Sequence, residues 1–368
     1  MAATKLTDLI SDETRSLCDV IFGVVIHGFL GLFGSVANII NIMVFVKQGL
    51  TETVTISFLA LSVADLCNLL PLVWSSVCSN PLFELKKQTE NTAFVFMSSG
   101  IPLALMSSGI PLALMSSGIP AFPSECKLAC LPHTMFLRCS FWIRVYINFE
   151  RCCCIVFPIK VKMFFTKTKT VVVVACVYLL MLAFLVQGAA CLQFRPTYSP
   201  IKNLTVFYVT IITSAACNIE LSNLINVTAR VVLFILDVIF TLIMIQRLQM
   251  KSKWRSNSSA GNTKSVPSLR DYRLIKMLVF ISCMYISSSI PAIGYTVCLS
   301  YIDTLSGVNI NFYSLIWSVA VSLEACGSSF NIFIFYTMSV RYKRSFLDLF
   351  ARKFGPVKTD ACRNGDFK

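Results

Sequence analysis

Seven runs poor in charge, each about 20 residues long, restrict this chain more than any other feature. They cover residues 22–46, 55–78, 127–152, 170–191, 229–246, 274–298 and 312–338. A helix of that length crosses a hydrocarbon core of about 30 Å, and in lipid only helices and closed barrels satisfy every backbone polar group. Composition leads the same way. Of the 368 residues 56% are apolar and 14% charged, against about 25% charged in soluble domains, and the mean hydropathy is +0.73. Most soluble enzymes are thereby excluded, and two His in the whole chain argue against a His-based metal site. The expected fold class is an all-α membrane protein.

Residues 92–124 are also uncharged and long enough to cross, yet they are read here as a loop. The nine-residue unit Met-Ser-Ser-Gly-Ile-Pro-Leu-Ala-Leu starts at Met97, repeats at Met106 and returns truncated at Met115. Each copy sets Gly two residues before Pro, at Gly100 and Pro102, Gly109 and Pro111, Gly118 and Pro120, so a regular helix breaks in every unit. A slippage expansion of an outer loop is one reading; a lipid contact or a cap over a pocket is the other.

Charge placement sets the orientation, because cytoplasmic loops are enriched in Lys and Arg. With seven spans and the N-terminus outside, 21 of the 32 basic residues fall on the inner side and eight on the outer side, two of these, Lys127 and Arg230, at the outer edges of their runs; the other three, Arg138, Arg144 and Arg151, lie within span three. An eighth span would spoil this asymmetry. The charge of +14 therefore follows the loops rather than forming a patch, and no nucleic-acid partner is expected. Asp8, Asp12, Glu13 and Asp19 leave the start without the apolar core of a signal peptide, so the first span is expected to serve as the anchor. The expected layout is an outer N-terminus over 1–21 and a seven-span body over 22–338, with 79–125 as an expanded first outer loop. Residues 339–368 form an inner eighth helix and tail. In the latter, Tyr342, Phe346, Leu349, Phe350 and Phe354 recur at helical spacing among Lys343, Arg344, Arg352 and Lys353, as in an amphipathic helix lying on anionic lipid.

Two sequons, Asn203-Leu-Thr205 and Asn226-Val-Thr228, fall between spans four and five and are candidate glycosylation sites. Most of the 16 Cys lie inside spans, where Cys acts as a small apolar residue.

Polar groups inside spans are expensive and mark function. Here they are Asn38 in span one, Asp65 in span two, Glu150-Arg151-Cys152 closing span three with Pro158 seven residues after the Arg, and Asn331 to Tyr336 closing span seven. At these residues, and over about 22–354, the chain resembles a rhodopsin-like (class A) G-protein-coupled receptor. Glu150-Arg151-Cys152 with Pro158 is similar to the family's Asp-Arg-Tyr motif and its following Pro. Cys126 falls on the family's outer Cys, 25 residues before the Arg, and Ser140 on a sodium-binding Ser, 11 residues before it. The run from Phe149 to Lys162 looks like invertebrate chemosensory and FMRFamide-type peptide receptors. Departures are equally plain. The Trp of Cys-Trp-x-Pro is Ser289, and the Pro and Tyr of Asn-Pro-x-x-Tyr are Ile332 and Phe335. Span four lacks its Trp and span five its Pro. Span seven has no Lys, which excludes an opsin.

The resemblance implies a seven-transmembrane-helix bundle with a short eighth helix, in the plasma membrane with its N-terminus extracellular. It implies no enzyme activity but a receptor that binds an extracellular small molecule or peptide and activates a heterotrimeric G protein. A seven-span ligand-gated channel or transporter is the alternative, opposed by the charge bias and by the absence of internal span repeats. Arg151, beside Glu150, would pair with Asp271 as an inner lock, the alternative being two solvated charges. Asn38, Asp65, Ser140, Ser328 and Asn331 would form a polar pocket suited to Na⁺ as an allosteric ion, or a water-filled structural one; no other cofactor is implied. Cys126 would bridge to Cys217, with Cys191 also available. His133, Leu137, Arg138, Ser289 and Glu324 would line the ligand pocket, though His133 could simply be hydrogen-bonded wall. Arg138, Arg144, Asp237 and Glu324 should neutralise one another across spans three, five and seven, with Arg138 reaching Asp237 or Glu324.

Overall fold

The structure is a computed structural model and describes residues 11–78, 130–157, 164–190, 192–199, 204–211, 219–257, 269–301 and 310–354. The repeat and its loop, Cys126, Cys191, Cys217 and Asn203 lie outside the described residues.

Span one is continuous from α1 (Asp12–Cys18) through a π-helical stretch (Asp19–Ile26) into α2 (His27–Gln48). It starts ten residues before the expected boundary. The Ser11 side chain caps it by accepting from the Thr14 amide, and Arg15 pairs with Asp19 one turn on, so charges that cannot enter lipid still continue the helix. Gly49, at φ 79°, ends it. Span two is α3 (Thr53–Cys78), span three α4 (Cys130–Val156) and span four α5 (Lys167–Ala190). Span five is α6 (Ile219–Asn257) and span six α7 (Leu269–Tyr301). Span seven is divided into α8 (Ile310–Ser329) and α9 (Asn331–Met338) by a turn at Phe330. The eighth helix, α10, is Val340–Phe354.

Six of these spans are long and apolar enough to cross a membrane on composition alone; α4 is not among them. Its 27 residues would cover about 40 Å, so length is ample, but Arg138, Arg144, Glu150 and Arg151 lower its hydropathy. The reason is position. Arg144 and Glu150 are buried, so α4 is shielded by its neighbours and can carry polar groups, whereas α2 presents Phe29, Leu32, Val36, Ile39 and Met43 outward as an apolar stripe that suits lipid.

The expected all-α bundle carries one addition: β1 (Leu192–Ser199) and β2 (Leu204–Ile211) pair antiparallel between spans four and five, with Leu192 opposite Ile211 and Ser199 opposite Leu204. The run Leu-Thr-Val-Phe-Tyr-Val-Thr-Ile of β2 is rich in β-branched and aromatic residues, the ordinary strand signal.

Close approach of spans one, two and seven depends on Gly31 and Gly34. A Cβ at Gly31 would stand 2.7 Å from Val73 Cγ2, and one at Gly34 would collide with Ser329 Oγ and Leu69. Beneath this contact the core is aromatic. The Phe45 and Phe335 rings meet edge to face at 5.2 Å, and Phe58 packs on Phe335 at 4.9 Å. Tyr342 of α10 closes the cluster against Phe45 at 5.5 Å. Arg341 fastens the start of α10, donating to the Gln48 carbonyl at 2.8 Å and pairing with Glu52 at 2.9 Å.

Candidate functional site

Ser140, Arg144, Asn148 and Arg151 are spaced four, four and three residues apart, so α4 stacks them on one face. Two levels of that face, at Arg144 and Asn148, tie α4 to neighbouring helices.

At mid-depth Arg144 Nη2 donates to both oxygens of Asp65, at 2.9 and 3.2 Å, and lies 3.4 Å from Ser328 Oγ. Asn331 donates to Asp65 Oδ2 at 3.0 Å. Asp65 is wholly buried and Arg144 is 4% exposed. The guanidinium sits over the ring of Tyr285 of α7, with Cζ 4.0 Å from the ring centroid. Asn38 turns aside, donating to the carbonyls of Gly34 and Ser328 at 2.9 and 3.1 Å, while Ser140 is buried beside the carboxylate. These residues do not fit the Na⁺ expected from the sequence. The acid that would carry the ion is already neutralised by a cation of the chain itself.

One turn further in, Asn148 Nδ2 donates to Asp237 Oδ1 of α6 at 2.5 Å and to Ser282 Oγ of α7 at 2.7 Å. At the inner end Arg151 pairs with its neighbour Glu150 at 3.1 Å, and Thr53 of α3 donates to the same Glu150 oxygen. Asp271 sits in α7, but its side chain lies outside the described part, and so does the expected pairing with Arg151.

The outer level corrects three expectations. Arg138 reaches neither Asp237 nor Glu324; its Nη1 donates to Asn226 Oδ1 at 2.8 Å. Glu324 is instead taken by Arg230 of α6, a residue at the edge of the charge-poor run 229–246 and grouped there with the outer basic residues; α6 begins ten residues before that run, so Arg230 lies well inside the helix. Asn226 lies within α6 rather than in a connecting loop, is half-buried, and accepts from Arg138 of α4 through Oδ1. Ser289 is fully buried and does not reach the outer cavity.

That cavity, about 240 Å³ in volume, is lined by His133, Leu137, Arg138, Arg230, Tyr285 and Glu324 among others. His133 is also held by the Asn68 carbonyl of α3, at 2.9 Å from Nδ1. At the opposite end a second cavity of about 520 Å³ opens between α2, α3, α7 and α10, with Gln48, Arg273, Arg341, Arg344 and Asp348 at its wall.

Sequence reasoning missed Arg230, Asn148, Ser282 and Tyr285. Asn148 carried a signal, since it lies one turn from both Arg144 and Arg151; Ser282 and Tyr285 carried none.

The family described as serpentine type 7TM GPCR chemoreceptor Srw matches residues 127–353, more than half of the chain. No curated protein matches the sequence. The match runs from the start of span three to the eighth helix and so covers every level of the α4 face. The chain is a multi-pass membrane protein and belongs to the Srw chemoreceptor family, rhodopsin-like G-protein-coupled receptors related to the FMRFamide-type receptors, whose members are receptors and not enzymes.

Proposed function

We propose that this receptor sits in the plasma membrane with its N-terminus outside, binds a small extracellular ligand in the cavity beside His133 and Arg138, and activates a heterotrimeric G protein at the Arg151 end. One observation carries the ligand site: Arg138, Arg230 and Glu324 converge on one cavity at a depth where charges are costly. A volume of about 240 Å³ lies below the roughly 300–1,000 Å³ of drug-sized sites, so it suits a compact molecule or the end group of a peptide. Arg138 and Arg230 both present guanidinium groups in that lining, and because Arg matches a carboxylate with paired donors, this supports an anionic group on the ligand.

Support for the inner role comes from Glu150 and Arg151, which lie at the end of α4 where the expected loops are basic. The test is a screen of small carboxylates and amines in cells carrying a promiscuous G protein. Carboxylates should activate, Arg138→Gln should weaken the response at least tenfold with surface expression unchanged, and activation only by amines would overturn the assignment.

A further inference from the structure

Asp65, Ser328 and Asn331 turn oxygen and amide groups of spans two and seven toward one buried point, a donor set that alone would suit a hard monovalent cation. Arg144 already occupies it. Its Nη2 contacts both carboxylate oxygens and approaches Ser328, and the ring of Tyr285 backs the guanidinium from α7. The pair is shut off from solvent on both sides, at 4% and 0% exposure. A free ion entering here would meet a carboxylate whose charge is spent and a guanidinium of like sign in low dielectric, where repulsion is strong.

We propose that Arg144 is a tethered cation that permanently fills the buried cation site of this receptor, tying span three to spans two and seven, so that Na⁺ neither binds there nor shifts the protein's conformational equilibrium. The geometry supplies a reason. Nη1 and Nε of Arg144 and Oδ2 of Asp237 have no hydrogen-bond partner among the described residues, so the guanidinium is held by one nitrogen and by its fit against Tyr285 rather than by a complete set of bonds. Such a residue is retained for its charge and position. An exchangeable ion would let external salt set the balance between states; a covalent one removes that input and makes the neutralisation of Asp65 depend on where α4 stands. This inference does not rest on the ligand reading given above, because it concerns a site below the outer cavity.

The experiment uses the full-length purified receptor and Na⁺ itself, comparing thermal unfolding in NaCl and in choline chloride at equal ionic strength. Wild type should show the same Tm in both. Arg144→Ala, which frees the carboxylate, should acquire a saturable Na⁺-specific rise of about 2 °C or more once Na⁺ exceeds the new site's Kd about tenfold. Arg144→Ala with Asp65→Asn should lose that rise, and Arg144→Lys, which keeps a tethered charge, should behave as wild type. If Arg144→Ala does not fold, wild type alone still decides. A Na⁺-specific stabilisation of wild type that Asp65→Asn abolishes would overturn the proposal; its absence, with folding rescued in Arg144→Lys or in the double variant, supports it.

Discussion

The Tyr342 hydroxyl donates to Asn41 Oδ1 at 2.6 Å, joining the eighth helix to the middle of span one. From there Asn41 donates to Asn38 at 3.3 Å and Asn38 to the Ser328 carbonyl at 3.1 Å, so a line of amides runs from α10 to the wall of the Asp65 site. Both Tyr342 and Asn41 are almost wholly buried, which makes an unmet acceptor costly. Tyr342→Phe keeps the ring in its aromatic cluster and removes only the donor. The expected loss is about 1–3 kcal/mol, read as a fall in Tm of several degrees and faster hydrogen exchange across 340–354. Unchanged exchange would mean that Arg341 and the rings alone dock the helix.

Asn148 bonds to both Asp237 of α6 and Ser282 of α7. Because it draws spans three, five and six together in the inner half, it should favour whichever state keeps them close. Asn148→Ala should raise ligand-free signalling; a coupling of about 1 kcal/mol moves a two-state equilibrium roughly fivefold. Basal output compared at matched surface expression checks this, and silence in both Asn148→Ala and Asp237→Asn would remove the tie from the mechanism.

Arg151 and Glu150 give opposite expectations. Arg151→Ala should abolish G-protein activation while ligand still binds, whereas Glu150→Gln loosens Arg151 and the Thr53 contact and should raise basal activity. Asp271→Asn should do the same if Asp271 restrains Arg151. Binding and signalling measured on the same membranes separate the cases, and a signalling Arg151→Ala receptor would contradict the coupling role.

The bundle was legible because lipid permits few solutions, and charge-poor length locates each crossing. Helix ends were not legible. Span one begins at Asp12 and span five runs from Ile219 to Asn257 because charged residues end a membrane crossing without ending a helix. The identity of the buried charges was also legible, since Arg138, Arg144, Asp237 and Glu324 stand out in apolar surroundings. Their pairing was not. Partners are chosen by helix rotation and depth, which hydropathy does not encode, so Arg144 could not be matched to Asp65, nor Glu324 to Arg230, from spacing alone. The hairpin at 192–211 was missed for a simpler reason: its β-branched run was read only for glycosylation.

Arg230 and Glu324 are ion-paired across α6 and α8, with Glu324 4% and Arg230 22% exposed, and they form one wall of the outer cavity. Removing one member leaves a buried charge alone, at a cost of about 3–5 kcal/mol, so Arg230→Met should sharply reduce surface expression. The cost belongs to the orphaned carboxylate rather than to the lost contact. Adding Glu324→Met should therefore restore much of the expression, because two apolar side chains of similar length can pack where the pair stood. The rescued receptor then tests function separately from folding. If the pair only stabilises the bundle, the double variant should signal normally; if Arg230 also meets the ligand, it should reach the surface yet respond at least tenfold more weakly. Surface labelling together with dose-response curves for the four receptors of this cycle decides between them, and a double variant no better expressed than Arg230→Met would show that Glu324 is not the partner that matters.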